Sequence, residues 1–265
     1  MDGRCAIKVL VVNDDGVQFH GLWTLVKALL PRHRVTVVAP DREQSGVGTA
    51  ISLHRILRVR EVTGTVQNVP AFAVEGTPGD CVILGLGALC KDADLVVAGI
   101  NEGANLGDDV FISGTVGAAL QAHFRGLPAI AASVSDLGST HYEPAARIVA
   151  RLVEALEDGR LPRRMVLNVN VPDLPAKDIR GVVVARQARR RYADRVQEDQ
   201  DTRGKAYYWI VRGQAVWEMD EGTDIWALRS GYVSLIPLHT DVRCEECIPA
   251  VEALCQPIRE MLRGS

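Results

Sequence analysis

Short apolar runs alternate with amphipathic segments through the first 180 residues. The runs are rich in β-branched residues and show no alternation of polar and apolar positions, which is typical of strands buried on both faces of a sheet. The pattern predicts strands at residues 7–12, 34–39, 94–99, 129–133 and 165–171.

Helix signals separate these runs. A short amphipathic stretch at residues 21–30 is closed by Pro31, and Thr77-Pro78 has the form of an N-cap followed by a proline in the first helical turn. Together the signals predict helices at residues 21–30, 78–89, 114–124 and 143–157. Strands separated by helices indicate a mostly parallel sheet covered on both faces, which is an α/β fold of three layers.

The pattern changes after about residue 180. Residues 181–238 are rich in Arg, Tyr and Trp and contain short alternating segments at 207–211 and 232–236, which predict a β-rich extension made of hairpins. A C-terminal helix is expected at residues 248–262. We therefore expect a single domain over residues 1–265, with an α/β core at 1–180, the extension at 181–240 and the C-terminal helix within 241–265.

Composition narrows the functional classes. The chain has 265 residues, of which 47% are hydrophobic and 24% are charged, as in ordinary globular proteins. Its net charge of −3 argues against a general affinity for nucleic acid. Because no apolar run approaches the ~20 residues of a membrane span and the N-terminus carries no secretion signal, we expect a cytoplasmic protein that does not enter a membrane.

The six cysteines are expected to be reduced thiols, as is usual in cytosolic proteins. Cys244 and Cys247 have the spacing of a metal or redox pair. A zinc site would need a second such pair or nearby histidines, and a redox motif would lie early in the chain. We interpret this pair as structural or incidental.

Three predicted strands are followed by polar residues. Asp14 and Asp15 follow the first strand, Ser45 lies in the loop after the second, and Asn101 follows the strand at 94–99. Since ligands bind at the carboxyl ends of parallel strands, these side chains are expected at one edge of the sheet. Carboxylate, hydroxyl and amide oxygens are the ligands that Mg²⁺ and Mn²⁺ prefer, and a cation would offset the repulsion between the adjacent aspartates.

An anion site is expected beside these ligands. Ser113, Gly114 and Thr115 precede and open a helix of small residues, and the free N–H groups of a helix N-terminus bind phosphate. Metal ligands beside a phosphate site predict metal-assisted phosphoryl chemistry. Each piece alone has an ordinary structural explanation as a turn, a polar loop or a helix cap, so the hypothesis depends on their joint occurrence.

Two other functional classes are less consistent with the sequence. Residues 186–195 hold a basic run with a tyrosine that could contact nucleic acid, but an acidic run at 198–201 follows, and a solvated surface is the better interpretation. A dinucleotide-dependent oxidoreductase would carry a G-x-G-x-x-G motif after the first strand, and residues 13–21 do not contain it.

Seven motifs in chain order resemble the SurE family of phosphatases. They are VNDDG at 12–16, APDREQSG at 39–46, GTPGDCV at 76–82, GINEGANLG at 99–107, SGTVGAA at 113–119, EGTDIWAL at 221–228 and GYVSLIPL at 231–238. The resemblance covers essentially the whole chain. It implies a metal-dependent 5′/3′-nucleotidase that releases phosphate from nucleoside monophosphates, with short polyphosphate as a further expected substrate.

The resemblance also implies an architecture and a site. The fold would be a Rossmann-like α/β/α sandwich with a projecting β-hairpin arm, matching residues 181–240, and a C-terminal segment exchanged within a homodimer. The arm would build a tetramer where one forms. One divalent cation would be held by Asp14, Asp15, Ser45 and Asn101. Asn101 would also bind the substrate phosphate, together with the segment Ser113, Gly114 and Thr115.

The expected mechanism is attack by water. The cation would neutralise the phosphate and lower the pKa of a bound water, and Asp14 or Asp15 would act as the catalytic general base. Covalent attack by an aspartate is the competing mechanism. It is less favoured, because phosphatases of that kind use an Asp-x-Asp pattern and this chain has adjacent aspartates.

Overall fold

Nine strands form one central sheet in the computed structural model, which describes residues 6–191, 194–211, 216–217 and 219–263. The strands of the described residues are β1 (Lys8–Val12), β2 (Arg34–Pro40), β3 (Val59–Glu61), β4 (Ala71–Val74), β5 (Leu95–Glu102), β6 (Ala129–Val134), β7 (Val166–Val171), β8 (Gly181–Val184), β9 (Arg190–Arg191), β10 (Arg195–Gln200), β11 (Ala206–Val211), β12 (Val216–Trp217) and β13 (Tyr232–Leu238). In the central sheet their order is β3-β4-β2-β1-β5-β6-β7-β13-β8.

Helices cover both faces of this sheet. The helices of the described residues are α1 (His20–Leu29), α2 (Pro78–Leu84), α3 (Gly114–His123), α4 (Tyr142–Glu157), α5 (Asp224–Arg229) and α6 (Ile248–Arg263). The helices α1 to α4 pack on the sheet, whereas residues 249–263 of α6 are exposed. The six strands from β4 to β7 in the sheet order run parallel, while β13 is antiparallel to β7 and β3 is antiparallel to β4. The prediction of a mostly parallel α/β sheet is confirmed.

Alternate residues of β1 show how the two layers form. Val9 and Val11 pack with α1 and α4 in one apolar cluster, whereas Leu10 and Val12 pack with α2 and α3 in another. All four side chains are fully buried. Since successive side chains of a strand point to opposite faces, a continuous apolar run is required when both faces are covered.

The predicted helix at 78–89 begins as expected but ends early. Thr77 caps it by accepting from the N–H of Asp80, whose carboxylate in turn accepts from the N–H of Thr77. The α-helix stops at Leu84, and residues 85–89 continue as a π-helical turn. Gly85 lies against Leu10, where an added Cβ would come within 2.6 Å of the leucine side chain, so the close approach needs a glycine.

The extension differs from the predicted set of hairpins. β13, expected at 232–236 as a hairpin strand, lies in the central sheet between β7 and β8, and residues 224–229 are helical. Val233 and Ser234 are fully buried there, because β13 adds to the edge of the parallel core. β10 and β11 form a hairpin, as predicted for the segment at 207–211. The central sheet therefore continues past residue 180.

The C-terminal helix lies at Ile248–Arg263, close to its predicted bounds. Just before it, Cys244 and Cys247 form a disulfide, so the expectation of reduced thiols is wrong for this pair. A single 3₁₀ turn brings their Cα atoms to 5.4 Å, within the range that a disulfide can bridge. Cys81 and Cys90 are buried free thiols, and Cys5 lies outside the described residues. Within the described part of the chain, no helix combines the length and the apolar character needed to cross a membrane.

Candidate metal and phosphate site

The ends of β1, β2 and β5 and the start of α3 meet at one cleft of about 530 Å³. Four of the seven site residues predicted from the sequence line it: Asp14, Ser45, Asn101 and Ser113. The other three, Asp15, Gly114 and Thr115, lie directly beside Asp14 in the chain or in space. The strand ends thus bring together residues that are up to about a hundred positions apart in the sequence.

Asp14 is held by the N-terminus of α3. Its side chain is only 4% exposed, and its Oδ1 accepts a hydrogen bond of 2.5 Å from the hydroxyl of Thr115. The backbone N–H of Thr115 also donates to this carboxylate. Burial raises the pKa of Asp14 to about 6, although these hydrogen bonds favour the charged form.

Asp15 has a more strongly perturbed carboxylate. Burial is the main cause that raises its pKa to about 8, and the neighbouring charge of Asp14 is the second. Glu102 and Glu43 add smaller repulsions. Its Oδ2 is buried without a hydrogen-bond partner among the described residues. A buried carboxylate oxygen without a hydrogen-bond donor or a cation beside it is energetically unfavourable.

These observations fit a divalent cation. Asp14 is buried, and Asp15 is partly buried with one partnerless oxygen, so a positive charge between the two adjacent carboxylates would stabilise them as anions. The available ligand atoms are hard oxygens, which suits Mg²⁺ or Mn²⁺. Over the described residues, no three His, Cys, Asp or Glu side chains gather as a metal-binding group. The candidate site therefore depends on Ser45 and Asn101 for its neutral ligands.

Ser45 lies on a loop that is fastened to both Asp14 and α3. The N–H of Gln44 donates to the backbone carbonyl of Asp14 over 2.7 Å, and the N–H of Gly48 donates to the carbonyl of Ile112. Gly117 of α3 lies so close to this loop that an added Cβ would come within 2.1 Å of the Gly48 carbonyl oxygen. The Ser45 hydroxyl donates to Glu43 at 2.7 Å, which directs it toward the acidic side of the cleft.

Asn101 lies at the end of β5, just after a register shift in the pairing of β5 with β6. Its Nδ2 donates to the carbonyl of Gly103 at 2.6 Å. The amide nitrogen is therefore engaged locally, and Oδ1 is the atom that remains available as a ligand.

The start of α3 has the features of an anion site. Ser113 is the N-cap, and its Oγ accepts from the N–H of Val116 at 3.1 Å. Gly114 follows, and an added Cβ there would lie 2.8 Å from the carboxylate oxygen of Asp14. Only glycine allows the helix to start this close to the aspartate. The helix dipole and the first free N–H groups favour a negative ligand at this position.

A buried polar network, which was not predicted from the sequence, lies behind the cleft. The N–H of Asn105 donates to Asn170, and its side chain donates to Ser133; both bonds are 2.8 Å. Asn168 and Asn170 donate back to the carbonyl of Asn105. The available signal was two asparagines at alternate positions in an otherwise apolar strand at 166–171, since a buried polar side chain needs a partner.

A second clamp holds the same loop at Gly107. Its N–H donates to the buried carboxylate of Asp224 at 2.8 Å, and its carbonyl accepts from Gln187 at 2.7 Å. Asp224 also accepts from the N–H of Ala188. The loop from Asn101 to Gly107 is thus fixed on one side by the central sheet and on the other by the extension.

Comparisons with known proteins agree over most of the chain. Residues 9–194 match the family model described as Survival protein SurE. The chain is 47% identical over 238 residues to the 5′-nucleotidase SurE of Geobacter sulfurreducens, covering 89% of each protein. It is 44% identical over 236 residues to the 5′-nucleotidase SurE of Legionella pneumophila, covering 89% of this chain and 92% of that protein. The crystal structure of the SurE protein from Aquifex aeolicus matches with a TM-score of 0.79 and 38% identity, over 93% of this chain and 99% of that one.

Proposed function

The chain belongs to the SurE family, and on that premise we propose that it is a divalent-metal-dependent 5′-nucleotidase that releases phosphate from nucleoside monophosphates. The observation that carries the proposal is the pair of adjacent carboxylates of Asp14 and Asp15. One oxygen of Asp15 has no hydrogen-bond partner among the described residues, and Asp14 lies against the N-terminus of α3. One cleft thus offers a place for a cation and a place for a phosphate, which is what phosphate ester hydrolysis needs. Short polyphosphate remains a further proposed substrate.

The proposed ligands of the cation are Asp14, Asp15, Ser45 and Asn101, and the proposed metal is Mg²⁺ or Mn²⁺. When bound, the cation would supply positive charge at the phosphate and lower the pKa of water. Ser113 and Gly114 would orient the phosphate through the free N–H groups at the start of α3. One of the two aspartates would take the proton from the attacking water as general base.

The experiment that tests this function is a phosphate-release assay with AMP and a panel of other nucleoside monophosphates, with Mg²⁺, Mn²⁺ or a chelator. Asp14→Asn and Asp15→Asn should each lower kcat by about a hundredfold or more while the protein stays folded, because each removes a general base or a metal ligand. Asp92→Asn is the matched control, because Asp92 is an exposed residue before the start of β5 whose ion pair, with Lys8, lies outside the cleft. Near-full activity of either site variant at saturating metal would contradict the assignment.

We also propose that two chains form a homodimer by exchanging α6. Val251, Leu254 and Ile258 are at least half exposed and form one apolar stripe on α6. A groove of about 530 Å³ beside β8 is lined by apolar side chains that include Ile148 and Val182. The apolar stripe of a partner's α6 fits such a groove.

A tetramer through the β10–β11 hairpin and a cytoplasmic location are further parts of this proposal. Light scattering tests the tetramer, and cell fractionation tests the location.

A further inference from the structure

A second groove adjoins the metal and phosphate cleft. It encloses about 440 Å³ and lies between α5, the loop at 104–106 and the turn at 172–174. Ala104, Ser135 and Asp136 line both the groove and the cleft. When the phosphate of a ligand lies in the cleft, the remaining part of that ligand therefore lies next to the groove.

The groove has an apolar wall. Ile225 and Leu228 lie on one face of α5, one turn apart, and both are nearly buried. Leu106 packs against these two residues in one apolar cluster, and Pro172 and Leu174 line the same groove. A wall of branched aliphatic side chains suits the flat apolar faces of an aromatic ring.

Polar groups are placed at the ends of this wall. Asp136 is exposed at the border with the cleft, and the hydroxyl of Ser135 donates to its carboxylate at 2.7 Å. Arg229 lines the groove but not the cleft, is exposed, and forms no ion pair among the described residues. A carboxylate accepts from ribose hydroxyls, whereas a guanidinium donates to the ring nitrogens and carbonyl oxygens of a base.

Hydrogen bonds at the start of α5 fix the position of the helix that carries this wall. Asp224 is the first residue of α5, and its buried carboxylate accepts from the N–H groups of Gly107 and Ala188. These bonds fix α5 at a set distance from the loop that carries Ala104 and Leu106. A site held in this way needs little rearrangement when it binds a ligand.

We propose that this groove binds the nucleoside part of the substrate, with the base against the wall of Leu174, Ile225 and Leu228, the ribose toward Asp136, and Arg229 donating to the edge of the base. The inference rests on the proposed nucleotidase function for the identity of the ligand. It adds the location of base recognition, and it makes the base a source of substrate affinity that a sugar phosphate lacks.

The first test compares AMP and GMP with ribose 5-phosphate, which has the same sugar and phosphate but no base. Arg229→Gln removes the guanidinium, and Leu174→Trp fills the groove from its half-buried side. Each variant should lower the ratio of kcat/KM for nucleotide to kcat/KM for ribose 5-phosphate by roughly tenfold. A change of this size corresponds to the loss of one hydrogen bond to a charged group, or to the loss of an apolar contact of similar free energy.

The matched control is Lys91→Gln, which removes one positive charge at the opposite edge of the sheet, before β5 begins. It should leave the substrate ratio unchanged. Thermal unfolding of all variants shows whether each is folded, and Arg229→Gln, at an exposed position, keeps the test decisive if Leu174→Trp does not fold. An unchanged ratio in folded Arg229→Gln and Leu174→Trp would overturn the subsite while leaving the nucleotidase function in place.

The second test measures binding without catalysis. Guanosine or adenosine is titrated into the metal-free protein by isothermal titration calorimetry, so that neither the phosphate nor the metal contributes. Binding to the wild type that weakens roughly tenfold in Arg229→Gln supports the subsite. Absence of nucleoside binding to the wild type overturns it. If no phosphate is released from any substrate with either metal, the nucleotidase function fails, and this titration still decides whether the groove binds nucleosides.

Discussion

The hydroxyl of Thr115 donates a hydrogen bond to the carboxylate of Asp14, and both side chains are almost completely buried. The first turn of α3 therefore orients an aspartate in the structure, in addition to the phosphate that we expect it to bind. The bond favours the ionised form of Asp14 against the effect of burial, which raises the pKa of this group.

Thr115→Val should weaken both metal binding and catalysis. Valine keeps the shape of the side chain but removes the donor, so the pKa of Asp14 should rise further and its orientation should loosen. We expect the apparent dissociation constant for Mn²⁺ to rise and kcat/KM for AMP to fall by roughly tenfold or more, the cost of one hydrogen bond to a charged group. Steady-state kinetics over a series of Mn²⁺ concentrations would measure both.

Thr115→Ser is the matched control, because it restores the hydroxyl and should recover most of the activity and metal affinity. The result also separates two roles of Thr115. If this residue serves only the phosphate, Thr115→Val will raise KM for AMP and leave the Mn²⁺ dependence unchanged, and the orienting role is then wrong.

Metal removal should destabilise the protein more at high pH than at low pH. Burial raises the pKa of Asp14 to about 6 and that of Asp15 to about 8, whereas both are about 3.9 when unfolded. Between these values the folded state binds more protons than the unfolded state, so the free energy of unfolding falls as pH rises. Thermal unfolding in chelator should show Tm falling from about pH 5 to pH 8 relative to a variant without the two carboxylates.

Adding Mn²⁺ should raise Tm most at the upper end of this range, where protons no longer compete for the carboxylates. The double variant Asp14→Asn, Asp15→Asn is the reference, because its amides do not titrate and should abolish most of the metal-dependent shift. A Mn²⁺-induced rise in Tm that is equal at pH 5 and pH 8 would contradict the placement of the cation between these aspartates.

Gln187→Leu should reduce activity although the residue lies outside the cleft. The substitution removes the donor to the Gly107 carbonyl and loosens the segment that connects Asn101 with Ser113. We expect kcat/KM for AMP to fall by roughly three- to tenfold, with a loss in unfolding free energy of about 1 kcal/mol, typical of one hydrogen bond. Gln197→Leu, the same change on exposed strand β10, is the control. Equal activity of the two variants would exclude a positioning role for Gln187.

The meeting of the candidate site residues at one cleft could be predicted from the sequence, because each of the segments that carry them has a local pattern. Asp14 and Ser45 lie in the loops that follow two strands, and Ser113 lies directly before a helix, and a short stretch of sequence is enough to predict each of these elements. The rule that ligands bind at the carboxyl ends of parallel strands then brings these segments together without knowledge of the pairing. The roles of these residues stay predictions.

The order of the sheet beyond β7 could not be predicted in this way. β13 has the same local pattern as a hairpin strand, and only its pairing with β7, such as Ser234 opposite Asn170, places it in the core. The bond from Gly107 to Asp224 joins residues 117 positions apart. Contacts of this range depend on the assembled fold, and a single sequence carries no local signal for them.

The disulfide between Cys244 and Cys247 shows a different limit. The expectation of reduced thiols came from the general scarcity of disulfides in cytosolic proteins, which concerns the environment and not the geometry. The geometry is set by the 3₁₀ turn at Glu245–Cys247, which brings the two residues within bonding distance. Whether two cysteines separated by two residues can form a disulfide therefore depends on the geometry of the turn on which they lie.

The apolar stripe of α6 should determine the oligomeric state. Leu254 and Ile258 lie on the same face of the helix and are at least half exposed in a single chain. The double variant Leu254→Glu, Ile258→Glu places charges on that face. We therefore expect it to be monomeric at concentrations at which we expect the wild type to be dimeric, as measured by size-exclusion chromatography with light scattering. Gln256→Glu, which adds a charge on the opposite face of α6, should remain dimeric. A wild-type monomer, or a dimer that survives the double substitution, would show that α6 does not hold two chains together.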